Sequence, residues 1–322
     1  MSAHLNWGIL GASHFALNQM GPAIHRATGG RLAALATSSA KKAEPFQAWA
    51  PDLRVHESYD ALLADPEVDA VYIPLPNHLH VEWTRKAARA GKHVLCEKPI
   101  ALEAREIDEL IALRDETGLL IAEAFMIVHH PQWQKAREIY ESGVLGTLKR
   151  VDCDFSYNNP DPGNVRNMRG MGGGGLRDIG VYIFGSTRFV TGEEPQEILS
   201  ADLDWLEDFD TTAVMTARFP SFRYSGMVSM RMAPWQEVTF HGEEAVMRLT
   251  APFNAQVYGE ARVGLYRPGG QMQEWRFPAD NHYVLQVEAF NRAVQTGAAY
   301  ACPLEFSQGT QAMIDMVFDA AR

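Results

Sequence analysis

The sequence predicts two domains of different classes. Residues 1–124 are expected to form a doubly wound α/β domain with a parallel sheet, and residues 125–322 an α+β domain on a large, mostly antiparallel open-faced sheet. The chain has 322 residues, a length that suits two ordinary domains. In the first part short apolar runs alternate with helical patterns, as in strands buried on both faces. From about Lys149 polar and apolar residues alternate with period two, as in antiparallel strands with one exposed face.

The elements of the first domain follow one another as strand and helix. Strands are predicted at the short apolar runs "WGIL", "RLAALATSS", "DAVYIPLP", "HVLCE" and "LLIAEAF". Helices are predicted between them at "HFALNQMGPAIHRAT", "KKAEPFQAWA", "HVEWTRKAARAG" and "EAREIDELIALRDETG". Strands joined by helices in this way pair in parallel, and the ligands of such sheets bind beyond the carboxyl ends of the strands.

The second domain begins with one predicted helix, "PQWQKAREIYESG", and continues with strands. These are "LKRVDCDFSY", "EEPQEILSADLDW", "TTAVMTARF", "RYSGMVSMRM", "EVTFHG" and "EAVMRLT", which are rich in β-branched and aromatic residues and separated by turn residues. Few helices intervene, so the sheet is expected to be mostly antiparallel. Further helices are predicted at "LRDIGVYIFGSTRFVTG", "NHYVLQVEAFNRAVQTG" and "SQGTQAMIDMVFDAAR".

Composition and charge argue against several classes of protein. The net charge of −11 repels phosphates and anionic membrane surfaces, so neither nucleic acid nor a membrane is expected as a partner. The spacings of Cys96, Cys153 and Cys302 suit neither a disulfide framework nor a zinc site, and the histidines lack ligand spacing, so no metal is expected. The chain shows no signal-like start and no apolar stretch of roughly 18 residues. A cytoplasmic protein is therefore expected.

The turn after the first strand resembles a dinucleotide-binding fingerprint. In "WGILGASHFALNQM", Gly11, Ser13 and Ala16 occupy the three positions of G-x-G-x-x-G, and His14 and Phe15 lie between them. The first glycine permits the tight turn, and the helix that follows directs its N-terminus at the pyrophosphate. Ser13 is small and can donate a hydroxyl to a phosphate. Because only the first glycine is present, an ordinary strand-to-helix turn stays open as the alternative.

The end of the second strand indicates which nicotinamide cofactor is bound. NAD-selective proteins usually carry an acidic residue here to bind the ribose 2′-hydroxyl. This chain carries Thr37, Ser38 and Ser39, with Lys41 and Lys42 just beyond. Hydroxyls and an ammonium suit the 2′-phosphate of NADP, which is the expected cofactor, with NAD as the alternative. A solvated helix start capped by hydroxyls is the structural explanation of the same residues.

Polar residues also follow the next two strands of the first domain. Pro74 and Pro76 direct an extended path to Asn77 and His80, and Lys98 ends the run "HVLCEKP". Neighbouring strands thus deliver polar groups to one rim, where a ligand is expected. Asn77 could instead cap a helix, and His80 could belong to an exposed helix start.

The second domain contains a glycine run followed by two functional candidates. Four consecutive glycines, Gly172 to Gly175, leave backbone amides uncovered, as where a helix N-terminus approaches a ligand. Asp178 and Tyr182 are four residues apart and share one face of the following helix. With Lys98 they could form a proton relay. A capping acid and a half-buried aromatic residue are the structural alternative for this pair.

Four motifs together resemble the Gfo/Idh/MocA family of oxidoreductases over essentially the whole chain. They are "WGILGAS", "LPNHLH", "HVLCEKP" and "GGGGLRDIGVY", in this order and spacing. The resemblance implies an N-terminal Rossmann domain in which Lys98 is catalytic beside the nicotinamide, Glu97 lies near its ribose and Asn77 contacts the cofactor. It also implies that Arg166 approaches the cofactor.

The tyrosine at position 182 is similar to one branch of this family. Glucose-fructose oxidoreductase, D-xylose dehydrogenase (NADP) and dimeric dihydrodiol dehydrogenase belong to that branch, where the tyrosine is the proposed acid and base. The resemblance implies hydride transfer between the nicotinamide and a hydroxyl-bearing carbon of a sugar, polyol or sugar-like diol. Two alternatives stay open: a non-catalytic protein that senses dinucleotide or sugar, and a redox-assisted NAD-dependent glycosidase.

The late strands of the second domain indicate an apolar outer face. Met227, Met230, Met232 and Trp235 are expected there, and family resemblance implies that a homodimer or higher homo-oligomer forms through this sheet. Burial of the same side chains in the core of one subunit is the alternative.

Overall fold

The computed structural model describes residues 4–321, which divide into two compact units. Among these residues the first unit comprises 4–101, 105–126 and 282–307, and the second comprises 102–104, 127–281 and 308–321. Each unit contains one β-sheet.

The strands are β1 (Leu5–Leu10), β2 (Gly30–Ala36), β3 (Arg54–His56), β4 (Ala70–Ile73), β5 (His93–Cys96), β6 (Ile121–Glu123), β7 (Leu148–Asn158), β8 (Glu197–Leu206), β9 (Phe209–Arg218), β10 (Arg223–Ser229), β11 (Arg231–Gly242), β12 (Val246–Leu249), β13 (Ala261–Arg267) and β14 (Gln271–Phe277). The helices are α1 (Gly21–Arg26), α2 (Ala40–Gln47), α3 (Tyr59–Leu63), α4 (His80–Arg89), α5 (Glu106–Thr117), α6 (Pro131–Glu141), α7 (Gly175–Thr191), α8 (His282–Thr296) and α9 (Leu304–Ala320). A π-helical turn, Ala16–Met20, precedes α1, and short 3-10 turns lie at Asn77–Leu79, Met126–His129, Val165–Asn167 and Pro268–Gly270.

The sheet of the first unit is parallel, with strand order β3-β2-β1-β4-β5-β6. The order reverses direction between β1 and β4, which creates the crevice where doubly wound folds bind their ligands. All four residues of β4 are buried, as the apolar run predicts for a strand covered on both faces. The prediction of a doubly wound α/β domain is confirmed.

Helix α8 belongs to the first unit, although it comes late in the chain. The indole Nε1 of Trp7 on β1 donates a hydrogen bond to Oδ1 of Asn291 at 2.9 Å. The Trp7 ring also packs against Phe290, with ring centroids 4.9 Å apart. A buried tryptophan with its one donor satisfied thus fixes α8 against the parallel sheet.

The sheet of the second unit has eight strands, in the order β14-β13-β12-β11-β7-β10-β9-β8. Strands β7 and β10 are parallel neighbours, and the other pairs described are antiparallel. Helix α7 contacts β7, β9 and β10, and α6 contacts β13 and β14. The predicted α+β domain on a mostly antiparallel sheet is confirmed.

Three strands were not expected from the sequence: β3, β13 and β14. Strand β3 has three residues at the sheet edge, and Arg54 and His56 both pair with Asp65, so it lacks an apolar run. Strand β14 also lies at an edge and is largely exposed. Edge strands are stabilised by backbone pairing more than by burial, which weakens their apolar pattern.

The expected apolar outer face is correct only in part. Met232 and Trp235 are 44% and 49% exposed, and Met227 is half-buried. Met230 is fully buried, and the expectation is wrong for this residue. Its Cγ lies 3.5 Å from where a Cβ on Gly175 would be, so its side chain packs under the start of α7.

Cys96, Cys153 and Cys302 are all buried, and none forms a disulfide. Between residues 4 and 321 no helix combines the length and apolar character needed to cross a bilayer. Within the same range no cluster of three or more His, Cys, Asp or Glu side chains is arranged to hold a metal ion.

Candidate active site

The turn after β1 requires a glycine at position 11, because its backbone conformation is one that other residues rarely adopt. Its φ is +109°, and a Cβ there would lie 3.2 Å from Leu75 and 3.3 Å from the Tyr59 hydroxyl. Ser13 follows, and its hydroxyl oxygen accepts a hydrogen bond from the Ala16 N–H at 3.0 Å. The hydroxyl proton of Ser13 can still be donated to another group. The turn therefore has the tight, glycine-dependent form that brings backbone close to a phosphate.

His14 and Phe15 lie on the exposed side of this turn. The Phe15 ring is 36% exposed and meets Tyr283 of α8 edge to face, with centroids 5.4 Å apart. Sequence reasoning did not identify Tyr283. It follows the turn by more than two hundred residues, so no local pattern connects the two.

Polar residues at the carboxyl end of β2 are exposed together. Ser38, Lys41 and Lys42 are exposed, and Thr37 is half-buried with its hydroxyl oxygen accepting from the Ser39 N–H at 3.3 Å. Ser39 occupies the N-cap of α2, yet its side chain makes no capping hydrogen bond. The Thr37 hydroxyl thus makes a local turn contact, and the Ser39 side chain does not cap α2. The exposed hydroxyl and ammonium groups have the composition that binds a phosphate.

His80 is fully buried, so its placement in an exposed helix start is wrong. Its Nδ1 lies 2.7 Å from the carbonyl oxygen of Pro99, and its Nε2 lies 2.7 Å from that of Leu75. Burial lowers the pKa of His80, and the two carbonyls act against this. His80 thus connects the segment after β4 to the segment after β5 and fixes the backbone beside Lys98.

Asn77 is half-buried, and the N-cap position of α4 is Leu79. The 3-10 turn begins at Asn77 itself, with Pro76 before it. Asn77 therefore does not occupy the N-cap position of α4. Pro74, also half-buried, lies between β4 and this turn.

Glu97 follows β5 and is fixed by its neighbours. The buried Tyr72 hydroxyl donates to Glu97 Oε1 at 2.7 Å, and Oε2 accepts from the Lys98 N–H at 3.3 Å. Burial raises the pKa of Tyr72 well above its usual value, and Glu97 raises it further. Burial and Glu97 likewise raise the pKa of Tyr283. Two phenols that stay protonated therefore lie near this carboxylate.

A second acid, Glu123, lies at the end of β6 close to Lys98. It is 3% exposed, and its Oε1 accepts from the Ile100 N–H at 2.8 Å. Burial raises the pKa of Glu123, whereas the Lys98 ammonium acts in the opposite direction. Sequence reasoning missed Glu123. The position of "AEAF" directly after an apolar run was the available signal, since β5 and β6 are parallel neighbours.

The glycine run before α7 has a structural explanation. Gly174 has φ +106°, and a Cβ there would lie 2.4 Å from Oδ1 of Asp210. The other carboxylate oxygen of Asp210 accepts from the Leu176 N–H at 2.7 Å. The amides at the start of α7 thus already face an acid of the chain itself, and the expectation that they approach a ligand is wrong. Burial raises the pKa of Asp210 to about 6.

Asp178 and Tyr182 lie on α7, both buried. Oδ1 of Asp178 pairs with Arg166 Nε at 2.8 Å, and Oδ2 accepts from the Tyr157 hydroxyl at 2.6 Å. The Tyr182 ring packs against Phe155 and Phe253, with centroids 5.7 Å away in both cases. The structure thus brings Arg166 to Asp178 and adds Tyr157, a residue of β7.

Lys98 lies in the first unit and Tyr182 in the second. In the first unit Lys98 directly follows Glu97, and its ammonium acts electrostatically on the buried Glu123. In the second unit Tyr182 shares a face of α7 with Asp178, which pairs with Arg166.

Two family models match the chain. "Oxidoreductase family, NAD-binding Rossmann fold" matches residues 5–125, and "GFO/IDH/MocA C-terminal domain" matches residues 133–248. An uncharacterised oxidoreductase of Rhizobium meliloti is 36% identical over 97% of this chain and 96% of its own length. A D-xylose 1-dehydrogenase (NADP(+)) of Haloferax volcanii is 31% identical, over 98% of this chain and 97% of its own.

A solved structure gives the same result. The 3-ketoreductase of Actinomadura kijaniata, in complex with NADP and TDP-benzene, superposes with a TM-score of 0.91 at 27% identity, covering 99% of this chain and 98% of that one. Both domains of this chain, their sheets and its sequence agree with one family. The chain belongs to the Gfo/Idh/MocA family of oxidoreductases.

Proposed function

We propose that this chain is an NADP-dependent dehydrogenase or reductase acting on a hydroxyl-bearing carbon of a sugar, polyol or sugar-like diol. The observation that carries the proposal is the position of Lys98, directly after Glu97 and near the buried Glu123, at the carboxyl ends of β5 and β6 in an NAD-binding domain. The relatives that act on D-xylose with NADP and that bind NADP with a TDP compound support the same chemistry.

The proposed cofactor contacts follow the carboxyl ends of the parallel strands. The close approach at Gly11 and the Ser13 hydroxyl fit a pyrophosphate. Exposed hydroxyls and an ammonium after β2 fit a ribose 2′-phosphate. The full proposed set is Gly11, Ser13, His14, Phe15, Thr37, Ser38, Lys42, Pro74, Asn77, His80, Glu97, Lys98 and Arg166, in which His80 acts by fixing backbone.

The proposed mechanism divides the reaction between cofactor and protein. Bound NADP supplies or accepts the hydride, which no side chain can do. In oxidation Tyr182 takes the hydroxyl proton, and Lys98 polarises the same oxygen. In reduction Tyr182 returns the proton to the carbonyl oxygen. Asp178, whose two oxygens already accept hydrogen bonds, orients its neighbours.

The test is a panel of aldoses, polyols, anhydrosugars and dihydrodiols with NADP and NAD in parallel, followed by the absorbance of reduced nicotinamide. We expect at least one substrate to give net formation or consumption of NADPH. A sensor would bind without turnover, and a redox-assisted glycosidase would release sugar with no net change in absorbance. Either of those results would contradict the proposal.

We also propose that the chain forms a homodimer through the outer face of the second sheet. Val214, Met232 and Trp235 are 48%, 44% and 49% exposed on this face, whereas their strand neighbours Ala213 and Gln236 are buried. Exposed apolar side chains on one sheet face favour burial against a second copy. Light scattering at micromolar concentration should give twice the chain mass, and a monomer mass would contradict this.

A reducing compartment, the cytoplasm, is the proposed location. It is supported by three buried cysteines that form no disulfide. Fractionation of cells with an antibody against the chain tests this, and recovery in an oxidising compartment would contradict it.

A further inference from the structure

The Asp178 carboxylate is shared between two donors of different charge. Tyr157 on β7 donates its hydroxyl to Oδ2 at 2.6 Å, and Arg166 donates from Nε to Oδ1 at 2.8 Å. Asp178 is only 7% exposed, whereas the Arg166 side chain is 39% exposed, so the carboxylate is shielded from water more than the guanidinium is. Buried carboxylates are stable when each oxygen has a donor, and this one has a cation on one side.

The backbone fixes Arg166 in place on both sides. Its N–H donates to the Asn164 side-chain oxygen at 3.1 Å, and its carbonyl accepts from the Gly174 N–H at 3.1 Å. A Cβ at Gly173 would lie 2.3 Å from that carbonyl oxygen, so the glycine run permits this approach. The segment before α7 is therefore built around one arginine rather than around an open loop.

The guanidinium of Arg166 is held at the helix face that carries Tyr182, because its partner Asp178 lies on that face. Tyr182 lies one helical turn after Asp178 on α7, on the same face. The rings that contact it, Phe155 and Phe253, are apolar. An aspartate one helical turn away would, by itself, disfavour the negatively charged tyrosinate, whereas a cation favours it.

The charged and titratable groups of the cluster formed by Tyr157, Arg166, Asp178 and Tyr182 come from four elements. Asp178 lies on α7, Tyr157 on β7 and Arg166 in the turn before α7, and Arg231 of β11 acts on Tyr157. Burial and Asp178 raise the pKa of Tyr157, so this phenol remains a donor throughout the working range. Tyr157 therefore stabilises the Asp178 carboxylate by donating a hydrogen bond, and it keeps its own proton.

We propose that Tyr157 and Asp178 are positioning residues that hold Arg166 where its guanidinium stabilises the tyrosinate of Tyr182. The inference rests on the proposed function, in which Tyr182 exchanges a proton with the substrate. It gives Tyr157 a role, and it gives Arg166 one beyond a cofactor contact, since its Nε is committed to Asp178. The substrate is oxidised only when Tyr182 is in its basic form.

The first experiment measures the pH profile of kcat for oxidation in Arg166→Met, Arg166→Lys and Tyr157→Phe. Removing the cation makes the tyrosinate form at higher pH, so the acid limb of Arg166→Met should move up by about one pH unit or more. At the midpoint of the wild-type limb kcat should then fall several-fold, towards about tenfold at lower pH. Tyr157→Phe should move the limb in the same direction by less, and Arg166→Lys should restore part of the shift.

Matched controls carry the same substitutions elsewhere in the second unit. Tyr224→Phe removes a buried hydroxyl on β10, and Arg248→Lys alters an exposed ion pair with Glu237. Both should keep the wild-type limb. If folded Arg166→Met and Tyr157→Phe also keep it, or if Arg166→Met changes only the KM for NADP, the inference is wrong.

A spectroscopic titration separates this inference from the proposed function. The ultraviolet absorbance of tyrosinate is followed against pH, and the signal of Tyr182 is obtained by subtracting the Tyr182→Phe protein. This needs no substrate, so it can be read even if no sugar is oxidised. Arg166→Met should move the Tyr182 transition to higher pH, and an unmoved transition overturns the inference whatever the activity.

Discussion

The backbone around Lys98 is fixed by side chains that come from two different strands. Tyr72 of β4 fixes Glu97, and Glu123 of β6 fixes the backbone at Ile100, two residues beyond Lys98. Each contact lies at a carboxyl end of the parallel sheet. The backbone segment that carries Lys98 therefore owes its position to the sheet.

The Glu123 hydrogen bond can be tested separately from its charge. Glu123→Gln retains an oxygen that accepts from the Ile100 N–H, whereas Glu123→Ala leaves this buried donor without a partner. We expect Glu123→Ala to lower the free energy of unfolding by about 1–3 kcal/mol more than Glu123→Gln. Urea unfolding of both variants measures this, and equal values would show that the hydrogen bond does not stabilise the segment.

The residues after β2 make a prediction about cofactor choice. Replacing Lys42 with alanine removes an exposed ammonium from the proposed site of the 2′-phosphate. The KM for NADP should rise by about tenfold, the value of one charge-assisted contact, and that for NAD should not change. Lys86→Ala, on α4, is the matched control and should leave both constants unchanged. A parallel rise for NAD would place Lys42 outside the phosphate site.

Much of the residue-level site followed from sequence motifs. Lys98, Asp178 and Tyr182 carry local signals: an apolar run that ends on charges, and a pair spaced by one helical turn. Tyr72 and Tyr157 carry none, because each is an ordinary strand residue until the sheet brings it to its partner, and Glu123 carries only its position after an apolar run. Partners supplied by tertiary pairing are the part that one sequence does not reveal.

At the scale of elements, the start of α7 shows how a sequence signal can be assigned the wrong cause. The glycine run predicts that a ligand approaches the helix start. Gly173 and Gly174 instead leave room for the Arg166 carbonyl and the Asp210 carboxylate. Glycine marks a close approach without stating what approaches. The apolar runs of β4 and β5 predict their strands correctly, because a strand buried on both faces consists of consecutive apolar residues.

Asp210 gives stability a specific pH dependence. Its pKa is raised from 3.8 to about 6 in the folded chain, so the folded state holds this proton more tightly than the unfolded state. Its contribution is fully present below the unfolded pKa and is lost as pH rises through about 6. The shift of about two units corresponds to roughly 3 kcal/mol at most.

Asp210→Asn isolates this effect, because asparagine retains an oxygen for the Leu176 N–H and cannot ionise. The difference in unfolding free energy, wild type minus variant, should decrease between about pH 4 and pH 7. Chemical denaturation across that range measures it. A difference that stays constant or increases would show that Asp210 is ionised in the folded chain throughout.

In the molecule as a whole, the order of the segments along the chain differs from their grouping into the two units. Residues 282–307 return to the first unit after the entire second sheet, and Asn291 and Phe290 are fixed on Trp7. The helical pattern of "NHYVLQVEAFNRAVQTG" predicts α8 but not which sheet it packs on. A helix with an apolar face can bury that face against either sheet. The helical pattern therefore does not predict on which sheet α8 packs.

The proposed dimer makes a prediction at the same scale. Trp235→Arg places a charge on the exposed sheet face without disturbing the core, since Trp235 is 49% exposed. The variant should sediment as a monomer and keep the wild-type thermal midpoint at low concentration. Met230→Arg, by contrast, should fail to fold, because Met230 is fully buried. A dimer that survives Trp235→Arg would move the interface to another face.

The substitution Lys98→Met is the most direct test of the proposed catalytic role of Lys98. The variant is assayed while saturated with NADP and with the best substrate of the panel. Methionine keeps the length and apolar stem of lysine and removes the ammonium. The rate of reduced-nicotinamide formation should fall by at least about a hundredfold, as expected when a group essential to proton transfer is lost. NADP should still bind, as measured by calorimetry. Retention of more than about a tenth of the wild-type kcat, with cofactor bound, would contradict the catalytic role of Lys98.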